Sequence, residues 1–160
     1  DIAIALGEVV SRGVELEASG EILPGWNVFA GYTFNTSSYE HDPSKEGDTY
    51  SPYTAKHILR AYTTFELPGP AYRWTVGAGA QVQSRTKNTI NKYPYTLEQG
   101  GFVVYDASVH YKITDKIKAS FIVNNIFDRR YFLNVNNRAL SMNSYSGDPR
   151  NFLLRISAEY

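Results

Sequence analysis

Cysteine is absent from the 160 residues. That excludes disulfides, thiolate metal sites and cysteine nucleophiles. No run of ~18 apolar residues occurs, so the sequence holds no candidate transmembrane helix. Neither charge sign is in excess, since 16 Lys+Arg stand against 16 Asp+Glu. The bulk attraction that marks nucleic-acid binders is therefore missing, and no nucleic-acid partner is expected. The three histidines, His41, His57 and His110, lack metal-ligand spacing. No nucleophile, base and acid stand in a recognisable pattern, so neither an enzyme nor a resident metal or covalent cofactor is expected. A basic, then apolar, export signal is missing too. The chain begins at Asp1 in mid-register, and a mature chain or a fragment is expected.

What is present is aromatic and alternating. Tyrosine, with 13 copies, outnumbers the 8 Phe and 2 Trp together. This suits a boundary between apolar and aqueous phases, where one end of the ring stays wet. Apolar residues recur with period two, which separates faces on a strand and mixes them on a helix. Val103, Tyr105, Ala107, Val109, Tyr111 and Ile113 oppose Val104, Asp106, Ser108, His110 and Lys112. The same holds around Val14–Ala18, Trp26–Phe34, Leu59–Phe65, Trp74–Val82, Ile117–Val123 and Phe152–Tyr160. About seven strands of ~9–11 residues result, the length that crosses a bilayer when tilted.

The connections alternate in length. Leu23-Pro24-Gly25, Pro68-Gly69-Pro70 and Thr114-Asp115-Lys116 read as tight turns, and Thr36–Thr54, Thr86–Gly101 and Arg129–Arg150 as long polar loops. Short turns on one rim and long loops on the other mark outer-membrane barrels, with the short side periplasmic. The aromatics sort by height in the same way. Trp26, Phe65, Trp74, Tyr111 and Tyr160 stand near the short turns, and Phe34, Tyr105, Phe127 and Phe152 near the long loops. Two aromatic belts around an aliphatic band match the two interfaces of a bilayer. Charges such as Glu15, Glu17, Arg60, Asp106, His110, Lys112 and Arg155 share the other face. They are expected to face a wet lumen, because Lys or Arg on the lipid face at mid-depth costs ~2–4 kcal/mol.

The fold expected is thus all-β, an antiparallel transmembrane barrel wall. Bacterial barrels have even strand counts from about eight upward, and open edges are not tolerated in hydrocarbon. Seven strands are accordingly expected to be the last third of a larger barrel. Three functions fit such a wall or its β pattern: a receptor, a passive porin-like channel, or, without a membrane, a soluble β-sandwich binding module. The acidic loop His41–Asp48 is read as solvated rather than as a cation site built from its carboxylates, and Asn35-Thr36-Ser37 as a chance match to a glycosylation acceptor.

Longer strings discriminate among these. Ser11-Arg12-Gly13-Val14-Glu15-Leu16-Glu17, then Leu23-Pro24-Gly25-Trp26 and Gly31-Tyr32-Thr33-Phe34, resemble the late barrel of TonB-dependent receptors. So do Ser51-Pro52-Tyr53-Thr54-Ala55-Lys56-His57, Val123-Asn124-Asn125-Ile126-Phe127-Asp128-Arg129-Arg130-Tyr131 and Gly147-Asp148-Pro149-Arg150-Asn151-Phe152. The resemblance covers nearly the whole chain in family order. Trp74-Thr75-Val76-Gly77-Ala78-Gly79 looks most like the ferric-siderophore branch, of the coprogen or pyoverdine type. The resemblance implies a barrel of about 22 strands, an N-terminal plug and a TonB box, with residues 1–160 as the C-terminal barrel segment and the plug and earlier strands lying outside it. It also implies the bacterial outer membrane and its lipid as surroundings. A ferric siderophore is the implied ligand, and TonB with its inner-membrane energising complex and the barrel-assembly machinery are the implied partners. Tyr93, Tyr95 and Tyr145 are the candidate ligand contacts. Tyr160, where the family typically ends in Phe, and Phe152 are the candidate assembly signal.

Overall fold

A computed structural model of the chain describes residues 7–43, 45–89, 96–138 and 141–159. The alternating segments form strands β1 (Glu8–Leu23), β2 (Trp26–Glu40), β3 (His57–Glu66) and β4 (Trp74–Gln83). Then come β5 (Thr86–Thr89), β6 (Thr96–Gln99), β7 (Phe102–Lys112) and β8 (Ile117–Asn124). The last are β9 (Phe132–Arg138), β10 (Ser141–Ser146) and β11 (Asn151–Ala158). Seven of them make one sheet in the order β1-β2-β3-β4-β7-β8-β11. All of its pairings are antiparallel, and the sheet is an open meander with β1 and β11 at its edges.

The structure departs from the sequence expectation in three places. Strands β1 and β2 run for 16 and 15 residues, and β2 continues through Thr36–Glu40, which reads as loop. The ladder is a backbone device, so Glu8–Arg12 goes on pairing with Thr36–Glu40 after the apolar alternation has ended. Two long connections contain hairpins, β5 with β6 and β9 with β10. Their strands are only 4 to 7 residues long, too few positions for a period-two contrast to stand out. The turn at Pro68-Gly69-Pro70 is a longer connection that holds a 3-10 turn over Gly69–Ala71.

The other two short turns are closed by their own side chains. Gly25 adopts φ 78° in the Pro24-Gly25 turn, and its N–H donates to Glu21 Oε1 at 2.6 Å. Between β7 and β8, Thr114 Oγ1 accepts from the N–H groups of Lys116 and Ile117 at 3.2 and 3.0 Å.

Register sorts the side chains into rows. One row runs Val28, Thr63, Ala78, Ala107, Val123 and Phe152, and the next Trp26, Phe65, Val76, Val109, Phe121 and Leu154. Both lie on one face. Thr63 is the polar member, and it is satisfied in place: its hydroxyl donates to the Asn27 carbonyl at 2.9 Å and accepts from Trp26 Nε1 at 2.7 Å. The opposite face carries rows such as Glu66, Thr75, His110, Ser120 and Arg155. Curvature tells the faces apart. On β7, Phe102, Val104 and Ser108 are buried, whereas Tyr105 and Val109 on the other side are exposed. The charged face is therefore the concave, lumenal one, and the apolar face is the convex, lipid-facing one.

A polar chain crosses the concave face. Tyr62 OH lies 2.9 Å from Ser108 Oγ, His110 Nε2 lies 3.0 Å from the same oxygen, and His110 Nδ1 lies 2.8 Å from Ser120 Oγ. Tyr62 is on β3 and Ser108 on β7, with β4 between them. The span exists because β4 offers glycine there. A Cβ on Gly77 would meet Ser108 Oγ, and would come within 2.7 Å of Tyr62 OH. Gly79 receives the edge of the same ring, with Tyr62 Cδ2 at 3.2 Å from its virtual Cβ. Near the short-turn rim, Glu66 and Lys112 pair at 3.9 Å.

Two outcomes follow for the full-length barrel unfolded by denaturant in micelles. A single arginine at Val28, Ala78, Val109 or Ile156 should lower stability by about 2–4 kcal/mol where the site lies near the midplane. Arginine at Ser19 or Ser157, on the concave face, should cost far less, and equal losses on both faces would overturn the assignment. Gly77→Ala should cost about 1–3 kcal/mol by overpacking. Gly20→Ala meets nothing within 4 Å, and should leave stability equal or higher.

Candidate functional site

The rim that carries the long connections is where irregular backbone gathers. Its first connection folds back on β2 and is not simply solvated. Gly47 N–H donates to the Tyr39 carbonyl at 3.0 Å, and Tyr39 N–H donates to the Asp48 carbonyl at 3.0 Å. Tyr39 and Tyr50 meet edge to face at 5.3 Å, with Lys45 Nζ 5.0 Å from the Tyr39 ring centre. Asp42, within the stretch expected to be solvated, is buried.

The second connection is the β5–β6 hairpin. Thr86 and Asn88 are buried at its foot. Lys87 N–H reaches back to the Pro52 carbonyl at 3.2 Å, which ties the hairpin to the first connection. Arg85 and Glu98 pair across it at 3.4 Å.

The third connection is closed at its base by Asn125, the residue after β8. Asn125 sits at φ 53°, a left-handed conformation that asparagine tolerates better than most residues. It is 3% exposed, yet all of its polar groups are used. Its N–H donates to Asp106 Oδ1 at 2.8 Å, and its Oδ1 accepts from Arg129 N–H at 2.8 Å. Its Nδ2 donates to the carbonyls of Arg129 and Asp148, each at 2.9 Å. Asp128, also left-handed at φ 53°, accepts from Arg150 N–H at 2.9 Å. Arg150 in turn donates to the Ile126 carbonyl at 3.3 Å. One turn higher, Gly147 N–H donates to the Tyr131 carbonyl at 2.8 Å. The Tyr131 ring lies against Gly147, where any Cβ would overlap it, and 4.4 Å from the Phe102 ring. Burial, together with the carboxylates of Asp148 and Asp106, pushes the Tyr131 phenol up from its ordinary value.

The two hairpins touch. Strand β9 lies against β5 and β6, and Phe132 N–H donates to Gln99 Oε1 at 3.0 Å.

Of the residues singled out from sequence, Tyr145 stands on β10 and is 61% exposed. Tyr93 and Tyr95, in the second connection, and Tyr160 lie outside the described residues. Phe152 is exposed on the lipid-facing side, with its ring stacked 6.1 Å from Phe121 at 13°. It therefore belongs to the long-loop aromatic belt, as do Tyr105 and Phe127, which meet edge to face at 5.6 Å. The sequence reading did not place His57 in this belt. Its Nδ1 lies 2.8 Å from Tyr32 OH, and its ring centre 4.8 Å from that of Phe34. Nor did that reading find the clasp around Asn125. The string holding Asn125 was visible, but its partner Asp106 lies 19 positions earlier.

The family described as TonB dependent receptor-like, beta-barrel matches residues 2–137. The ferric-pyoverdine M114 receptor of Pseudomonas sp. (strain M114) is 30% identical over 160 residues, covering 99% of this chain and 19% of the relative. The ferripyoverdine receptor of Pseudomonas aeruginosa is 35% identical over 147 residues, covering 89% of this chain and 17% of the relative. A solved structure of the pyoverdine outer membrane receptor from Pseudomonas aeruginosa PAO1, bound to pyoverdine, superposes with a TM-score of 0.83 at 30% identity. That superposition covers 96% of this chain and 22% of the other. The chain thus spans about a fifth of the length of the relatives it matches. Family members of this kind are outer-membrane barrels of Gram-negative bacteria. With lipid-facing rows, a polar lumen and unequal rims in place, the chain belongs to the TonB-dependent receptor β-barrel family.

Proposed function

We propose that the chain forms the wall and part of the ligand-facing rim of an outer-membrane receptor that takes up ferric siderophores, energised through TonB and its inner-membrane complex. One observation carries the reading. Two packed hairpins crown the long-connection rim of a lipid-belted wall, in a chain whose relatives are named as ferric-pyoverdine receptors. Recognition usually resides on loops held by a rigid scaffold. The function is uptake, with the ferric chelate as cargo and no chemistry performed on it. A pyoverdine-type chelate is the first candidate. Asn91-Lys92-Tyr93-Pro94-Tyr95 offers two aromatic faces beside a proline and a cation for an anionic chelate, and Tyr145 offers a third, exposed ring. The barrel-assembly machinery is the partner proposed for the terminal aromatic, Tyr160.

Equilibrium binding of candidate ferric siderophores to the purified full-length receptor tests the rim. Aromatic contacts of this kind contribute about 0.5–1 kcal/mol each. The Tyr93→Ala, Tyr95→Ala double change should weaken binding about tenfold, since 1.4 kcal/mol is one decade. Changes in Pro68-Gly69-Pro70, on the opposite rim, should leave affinity unaltered. A parent receptor that binds no ferric siderophore would end the proposal, while an unaltered double variant would remove only these tyrosines. Separately, deletion of Tyr160 should reduce the amount of heat-modifiable barrel in the outer membrane. Parental levels after the deletion would exclude its role in assembly.

A further inference from the structure

We infer that the β5–β6 and β9–β10 hairpins act as one coupled unit, and that Asn125 is the positioning residue that sets this unit on the barrel. The structural part stands on hydrogen bonds and packing alone. Its consequence for ligand binding rests on the receptor reading above.

The link is continuous. Asn125 joins the barrel wall, through Asp106 of β7, to both legs of the last connection, through Arg129 and Asp148. Asp128 and Arg150 repeat the leg-to-leg closure. The legs stay together one turn higher at Tyr131 and Gly147. The next residue, Phe132, opens β9, and its N–H is taken by Gln99 at the end of β6. A shift of the last hairpin at its base is therefore delivered to the neighbouring hairpin by a bonded contact.

The chemistry at Asn125 is specific. Its backbone conformation favours Asn or Gly, and its side chain must accept once and donate twice. Aspartate keeps the acceptor but turns lone pairs toward two carbonyls. Glycine keeps the backbone conformation and drops every side-chain bond. These bonds are part-buried, so losing them carries a cost, and it falls on the two legs of the hairpin.

The test uses the full-length receptor with spin labels on Thr96→Cys, in β6, and Ser146→Cys, in β10. Label-to-label distances are read by pulsed electron resonance, and ferripyoverdine is the binding probe. The parent should give one narrow distance distribution. Asn125→Gly and Asn125→Asp should both broaden it and weaken ferripyoverdine binding at least tenfold, with the barrel still heat-modifiable. Gln99→Ala, which leaves the clasp intact, should also broaden it. Its effect should be less than additive with Asn125→Gly, as expected of residues in one network. A folded Asn125→Gly barrel with the parental distance distribution and affinity would overturn the inference. Should Asn125→Gly fail to assemble, Gln99→Ala decides, since a parental distribution there refutes the coupling. A parent that binds no ferripyoverdine counts against the ligand proposed above, and the distance measurement still decides the coupling.

Discussion

Every backbone N–H and C=O that crosses hydrocarbon must be bonded within the protein, because lipid offers no partner. The rest of this structure depends on that constraint. It explains why seven consecutive crossings pair each with its neighbour along the chain. Beyond the belt at Phe34 the same ladder simply continues across the polar sequence Thr36–Glu40. Once the backbone is committed to ladders, side chains are left to deal with the two environments. Rows with aliphatic and aromatic members turn to lipid, and rows holding Glu66, His110, Ser120 and Arg155 turn inward. Thr63 shows how strict the outer face is. It is tolerated there with its hydroxyl tied to Asn27 and Trp26.

The inner face follows a different rule. Water or protein can satisfy its groups, so it can hold charge, and it can also spend glycine on reach. Gly77 and Gly79 lower the surface of β4 so that Tyr62 crosses it to Ser108. Glycine in a strand interior weakens the strand. Here the ring laid over both positions replaces the missing side-chain packing, and the hydroxyl ties three strands through Ser108, His110 and Ser120.

Most of the wall was legible in the sequence because both of its determinants are local. Period-two alternation yields strands and faces, and turn chemistry such as Pro24-Gly25 yields the rims. What escaped was of two kinds. Short hairpins such as Thr86–Thr89 with Thr96–Gln99 hold too few alternating positions to reveal a face, even though Thr86 and Asn88 are buried. Long-range polar closure left only a string without a role. Asn125, Asp128 and Arg150 stood within quoted motifs, yet nothing local indicates that Asn125 must meet Asp106 and Asp148. His57 misled for a related reason. As a lone histidine it suggested no belt, and only register set it beside Tyr32 and Phe34.

The clasp at Asn125 stands where the governing constraint changes hands. Asn124 is the last residue of β8 and still has a ladder partner in Asn151. At the next residue the chain leaves the sheet, and side chains take over the satisfaction of backbone groups. Two turns of the short-turn rim solve the same problem with one residue each, Glu21 at Gly25 and Thr114 at Lys116 and Ile117. The connection from Asn125 to Arg150, between β8 and β11, cannot be closed by one local bond. It needs a residue that serves the wall and both legs at once: the Asn125 backbone N–H holds Asp106 of the wall, and its side-chain amide joins the two legs because it donates and accepts from a single planar group. The requirement that keeps the wall intact in lipid therefore also sets the long hairpin at a defined place on the rim. The base of that hairpin is thus held by the same satisfaction of backbone groups that holds the sheet.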